Sequence, residues 1–234
     1  MQADLRLVAG ARFPAQRRMK STLDDSTFLP FAIARREDGT RFELGRGAMG
    51  ITYKASDTQL GRTVALKVIN TTFLGDPVVR HRFLAEARAV AQLHHPNVAG
   101  IFQLRADDEH VLYAMEFVEG ETVEAYVERR GPIPARLALR IIQQVANGLA
   151  AAQERGLIHR DIKPANLMLA RTPAHSPDPD DEDDDGLLVK VIDFGLAKSV
   201  SAEGLSEGAA LTGDGVVGTP HYMSPSKSRR SRAR

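Results

Sequence analysis

The stretch His159-Arg160-Asp161-Ile162-Lys163-Pro164-Ala165-Asn166 constrains this chain more than any other. It sets one carboxylate, one ammonium and one amide in fixed order on a short loop that carries a proline. Moving a phosphoryl group to a hydroxyl requires that set: a proton acceptor, a cation for the phosphate and an oxygen ligand for a metal. Asp193-Phe194-Gly195 follows at the distance one β-hairpin needs. Leu167-Met168-Leu169 and Val189-Lys190-Val191-Ile192 supply two short strands for that hairpin.

Composition narrows the class. A chain of 234 residues holds one large or two small domains, and 43% hydrophobic residues allow a real core. The absence of cysteine excludes a disulfide-stapled module, thiolate zinc sites and thiol nucleophiles. A net charge of +1 carries no nucleic-acid signature, so no nucleic-acid partner is expected. That balance hides two blocks: seven acids in the eight positions 178–185, and Lys227, Arg229, Arg230, Arg232 and Arg234 at the end. No apolar run approaches the roughly 20 residues that span a bilayer. The basic N-terminus lacks the apolar core of a secretory signal. The expectation is a cytoplasmic protein with no membrane segment in this chain.

Residues 1–27 are basic, polar and aperiodic, and the whole segment 1–39 reads as mostly disordered. Arg41 to Leu44 and Ile51 to Ala55 form a hairpin around a glycine-rich turn, and Thr63 to Ile69 make a third strand. Val79, Phe83, Ala87 and Val90 recur at helical spacing in 77–93, which opens with Pro77 and stops at His95-Pro96-Asn97. Val98 to Phe102 and Val111 to Phe117 read as two further strands. Leu137, Ile141, Val145 and Leu149 step by four along a core-facing helix over 134–155. The Pro- and Asp-rich stretch 173–186 reads as a flexible, self-repelling insertion rather than a calcium loop.

Gly45-Arg46-Gly47-Ala48-Met49-Gly50 fits G-x-G-x-x-G. Here the glycines join two strands instead of opening a helix, which argues against a dinucleotide fingerprint and for a flap over phosphates. Lys67 lies in the interior of the next strand, and Glu86 sits on the apolar face of helix 77–93. A buried ammonium needs a carboxylate, so the expected partners are Lys67 and Glu86.

Taken in order, the flap, the strand lysine, the helix glutamate, His-Arg-Asp, Asn and Asp-Phe-Gly resemble the protein-kinase signature set. Details resemble the bacterial branch of the eukaryotic-like (Hanks-type) serine/threonine kinases: Leu60-Gly61-Arg62-Thr63-Val64-Ala65-Leu66-Lys67-Val68, His94-His95-Pro96-Asn97 and Gly218-Thr219-Pro220-His221-Tyr222-Met223-Ser224-Pro225. The resemblance covers about 40–225. It implies an α+β, bilobal protein-kinase-like fold. A complete small lobe of five antiparallel strands and one helix spans 40–117, a partial, mainly helical large lobe spans 118–225, and a basic tail spans 226–234.

It also implies roles. Asp161 would accept the substrate hydroxyl proton, and Lys163 would neutralise the γ-phosphate. Asn166 and Asp193 would hold Mg2+. Gly45, Gly47, Gly50 and Lys67 would bind the ATP phosphates, with Glu86 orienting Lys67. Leu44, Thr52, Ala65 and Leu167 would enclose the adenine; Thr52 stands where the family has valine. Met115 would back the pocket, and Glu116 and Val118 would offer backbone groups to the adenine edge. Thr219 would position the substrate, and Ser199, Ser201, Ser206 and Thr212 are acceptor hydroxyls in an activation segment that a phosphate would order through Arg160.

After Ser224-Pro225 the family pattern continues with Glu, whereas this chain turns into Ser226 and a basic octapeptide. That break reads as a truncated or frame-shifted frame. The expected activity is ATP-dependent phosphorylation of a protein Ser or Thr. The alternative is a nucleotide-binding kinase fragment, weak or inactive in catalysis, with an interaction role.

Overall fold

The computed structural model describes residues 25–47, 49–107, 110–171 and 186–194. The expectations for Gly195, Ser199, Ser201, Ser206, Thr212, Thr219, most of the acidic insertion and the basic tail fall outside them.

The larger sheet contains β1 (Phe31–Ile33), β2 (Glu43–Gly47), β3 (Gly50–Asp57), β4 (Arg62–Ile69), β5 (Ile101–Ala106) and β6 (Val111–Glu116). Their order is β1-β3-β4-β6-β5, with β2 also paired to β3, and every pairing is antiparallel. Strand β4 lies at the centre and is buried along most of its length. A strand covered on both faces loses the alternating pattern, which is why Val64 to Ile69 reads as an almost continuous apolar run.

The sheet has one strand more than expected, and it begins earlier. Phe31, Ala32 and Ile33 pair with Asp57, Ser56 and Ala55. A short 3-10 turn, Asp25–Phe28, precedes them. Phe28 and Phe31 are 1% and 2% exposed, packed on the outer face of the sheet with Ile51, Tyr53, Leu66 and Leu112. Residues 25–39 therefore belong to the small lobe and not to a disordered arm. The two phenylalanines of the apolar run Phe28 to Ile33 anchor it, burying each contributing roughly 1.5–3 kcal/mol. Asp25 holds Arg35 at 2.6 Å and Arg41 at 3.0 Å, which closes the side hairpin between β1 and β2.

The inner face carries helix α1 (Pro77–Ala91). Asp76 caps it by accepting from Val78 N at 2.7 Å, and Pro77 occupies the first turn. Phe83, Ala87 and Val90 face the sheet and join one core with Ile69, Tyr113 and Met115.

Beyond β6 come β7 (Gly120–Thr122), helix α2 (Val123–Arg130) and helix α3 (Ala135–Gln153). Sequence periodicity does not reveal α2, since Val123 is its sole buried residue. Thr122 caps it through Ala125 N at 3.0 Å. Strands β8 (Leu167–Arg171) and β9 (Leu187–Val191) complete a second antiparallel sheet, β7-β8-β9. Helix α3 buries Ile141, Val145, Gly148 and Ala152; Leu137 and Leu149 are partly buried, and Leu139 and Ile142 stand exposed.

A polar hub joins the two sheets. Asn97, 6% exposed, donates from Nδ2 to Gln144 Oε1 and to the Val189 carbonyl, each at 2.8 Å. Its carbonyl accepts from Val191 N at 2.9 Å. Gln144 on α3 answers with bonds to Val189 N at 2.8 Å and to the Leu187 carbonyl at 2.9 Å. The hub forces Val98 out of β5 and into a parallel bridge with Val191, so β5 starts at Ile101. Gly148 lets α3 approach: a Cβ there would lie 3.0 Å from the Asn97 carbonyl oxygen.

Candidate active site

The flap is the β2–β3 hairpin, with Gly47 opposite Gly50 and Gly45 opposite Thr52. Its glycines serve different ends. A Cβ on Gly50 would lie 2.0 Å from the Val68 carbonyl oxygen, so close pairing with β4 requires glycine there. At Gly45 and Gly47 a Cβ would meet nothing within 4 Å. The fold does not need glycine at those two positions, and the space beside them is open.

Cross-strand register gathers the inner-face side chains. Thr52 pairs with Lys67, and Lys67 with Tyr113; Ala65 pairs with Met115. Met115 and Leu167 are buried in the main core, whereas Leu44 is exposed at the rim. Val118 packs with Ala99 and Ala170, which leaves its backbone for the segment that joins the sheets.

The ion pairing differs from the expected Lys67–Glu86 contact. Lys67 Nζ lies 2.7 Å from Asp193 Oδ1, and Glu86 Oε1 meets Arg160 Nη1 at 3.1 Å. The backbone explains the exchange. Asp193 and Arg160 both adopt left-handed conformations, with φ of 55° and 62°. These bends after β9 and before Asp161 deliver the Asp193 carboxylate to β4 and the guanidinium to α1. Neither bend is encoded by glycine, so the sequence carries no sign of them.

The loop between α3 and β8 is braced from within. His159 is buried; its Nδ1 accepts from Asp161 N at 3.2 Å, and its Nε2 therefore carries the proton shared with the Ile192 carbonyl at 3.1 Å. Its ring packs at a tilt against Phe194, with centroids 4.7 Å apart. Asn166 donates to the Asp161 carbonyl at 2.8 Å and to Asp161 Oδ2 at 3.3 Å, and its own carbonyl accepts from Ile192 N at 3.0 Å. Lys163 Nζ stands 3.4 Å from the same Asp161 oxygen. Asp161, Lys163, Asn166 and Asp193 thus share one bonded framework, reached from the sheet by Lys67.

Three further residues contribute, of which Asn97 closes the motif His94-His95-Pro96-Asn97 and the other two stand in no motif. Lys190 on β9 pairs with Glu116 at 2.9 Å, and Glu116 also accepts from Gly100 N at 3.4 Å, tying β9 to the end of β6. Asn97 builds the hub. Tyr113 places its hydroxyl 3.5 Å from Asp193 Oδ1. A charged residue inside the apolar run of β9 is the one trace of Lys190 that a reader could have followed.

Asn166 and Asp193 fit a magnesium ion. Their side-chain oxygens are hard ligands, and Mg2+ is commonly held by one or two carboxylates together with substrate phosphates instead of an all-protein cage.

A profile of the protein kinase domain matches residues 40–231. The chain belongs to the protein kinase family. This kinase domain is 34% identical over 226 residues to the serine/threonine-protein kinase PknL of Mycobacterium tuberculosis, covering 96% of this chain and 48% of PknL. It is 37% identical over 190 residues to the serine/threonine-protein kinase pkn3 of Myxococcus xanthus, covering 80% of this chain and 32% of that protein. The chain therefore spans about half the length, or less, of these curated relatives. Among solved structures it resembles the Mycobacterium tuberculosis PknI kinase domain, with a TM-score of 0.59 and 29% identity over 75% of this chain and 64% of that one. Rad53 1-466 in complex with AMP-PNP gives a TM-score of 0.57 and 26% identity over 71% and 38%. The kinase fold expected from the motifs is the fold observed. Among the described residues, no helix is long and apolar enough to cross a membrane.

Proposed function

We propose that this kinase domain binds Mg-ATP and transfers its γ-phosphoryl group to a Ser or Thr hydroxyl of a protein substrate. One observation carries this reading: Asp161, Lys163 and Asn166 are bonded to one another, and through Ile192 to the strand end that presents Asp193 to Lys67. Asp161 is the general base, its carboxylate held by Asn166 Nδ2 and its backbone N–H by the His159 ring. Lys163 and Lys67 neutralise phosphate oxygens. Asn166 and Asp193 would hold the magnesium, which would supply positive charge to the transferred group. Gly45 and Gly47 leave room for phosphates under the flap, and Met115, Ala65 and Leu167 form the apolar adenine pocket. ATP as substrate supports a cytoplasmic location.

A second reading, nucleotide binding with little turnover, is favoured by the ion pairs. Lys67 is engaged with Asp193, and Glu86 with Arg160. Incubating the chain with γ-labelled ATP, Mg2+ and a generic basic protein separates the two. Label on Ser or Thr supports the first reading. Saturable ATP binding without incorporation supports the second.

A further inference from the structure

Tyr113 occupies an unusual place for a phenol. It sits on β6 opposite Lys67, on the inner face of the sheet, and is 3% exposed within the core that includes Ile69, Phe83 and Phe194. A buried tyrosine hydroxyl needs a hydrogen-bond partner. Here that partner is Asp193 Oδ1 at 3.5 Å, the same oxygen that accepts from Lys67 at 2.7 Å.

We propose that Tyr113 is a positioning residue for the metal–nucleotide site, its hydroxyl fixing the rotation of the Asp193 carboxylate. Two donors on Oδ1 leave Oδ2 as the oxygen to face a cation. Asp193 sits on a left-handed turn just beyond β9, where Lys67 and Tyr113 both meet its Oδ1. Partners that orient a metal ligand in this way typically change metal affinity about ten- to a hundredfold when removed. The inference rests on the nucleotide-site reading above.

The test is equilibrium binding of a fluorescent ADP analogue to the full chain, with and without Mg2+, for the native protein, Tyr113→Phe and Tyr113→Met. The second variant fills much of the same space without a donor. Both variants are expected to bind the metal-free analogue as the native chain does, while the Mg2+ concentration for half-maximal enhancement rises about tenfold. Adding Tyr113→Phe to Asp193→Asn is expected to change nothing further. Unchanged Mg2+ dependence in the two single variants, beside normal metal-free binding, overturns this inference alone. Loss of metal-free binding in both variants also overturns it, because the ring and not the hydroxyl is then what matters. Failure of the native chain to bind the analogue overturns the nucleotide-site reading and this inference with it.

Discussion

Arg160 Nη1 lies 3.1 Å from Glu86 Oε1, so the residue preceding the candidate base is fastened to the middle of helix α1. Both side chains are about one-third exposed, at 34% and 33%. Water screens such a pair, and its coupling should be about 1 kcal/mol or less. Melting curves of Arg160→Met, Glu86→Gln and the double variant measure it through a double-mutant cycle. A coupling above ~2 kcal/mol contradicts this view and makes the pair a rigid fastening.

The three flap glycines should separate by phenotype. Gly50→Ala drives a Cβ into the Val68 carbonyl and should cost ~3 kcal/mol or more of stability. Gly45→Ala and Gly47→Ala meet open space and should melt within about 0.5 kcal/mol of the native chain. If they bound ATP as tightly as the native chain, the flap would have no part in phosphate binding.

Asp161→Asn keeps an acceptor oxygen for Asn166 but loses the basic carboxylate. Phosphotransfer should fall by about a hundredfold to ten-thousandfold while ATP affinity holds within a few-fold. Radiolabel incorporation and nucleotide titration on the same preparation give both numbers. A parallel loss of affinity would assign Asp161 to nucleotide binding instead.

Asn97→Ala should be among the more damaging small substitutions. It leaves the buried Val189 carbonyl short of a donor, at a cost of about 1–3 kcal/mol, while Gln144 Oε1 keeps its bond from Val189 N. Hydrogen exchange should speed up at Val189 and Val191, the β9 amides tied to the hub. Exchange that quickened at α1 instead would show that the hub supports the wrong sheet.

What the sequence revealed and what it hid divide by range of interaction. The flap, β4, α1, α3 and the 159–166 loop were legible because each is written in local spacing: glycines in a turn, an apolar run, a 3.6-residue period, a motif. The strand β1 was missed because its evidence is two phenylalanines that meet Ile51, Tyr53 and Leu66 only in three dimensions. Helix α2 was missed because a helix with one buried residue writes no stripe. The partner of Lys67 was misjudged for a similar reason. Glu86 and Asp193 are both carboxylates that chain order permits, and the choice between them turns on the backbone bend at Asp193, a residue with no glycine to announce it.

The buried pair Phe28 and Phe31 has a practical side. The kinase profile starts at residue 40, yet the lid over the outer sheet face comes from residues 25–33. The family profile and foldability therefore draw different borders on this chain. A protein trimmed to the profile would present Ile51, Tyr53, Leu66 and Leu112 to water as one greasy patch. It would aggregate for a reason unrelated to its catalytic residues, and assays on it would mistake poor solubility for a dead enzyme.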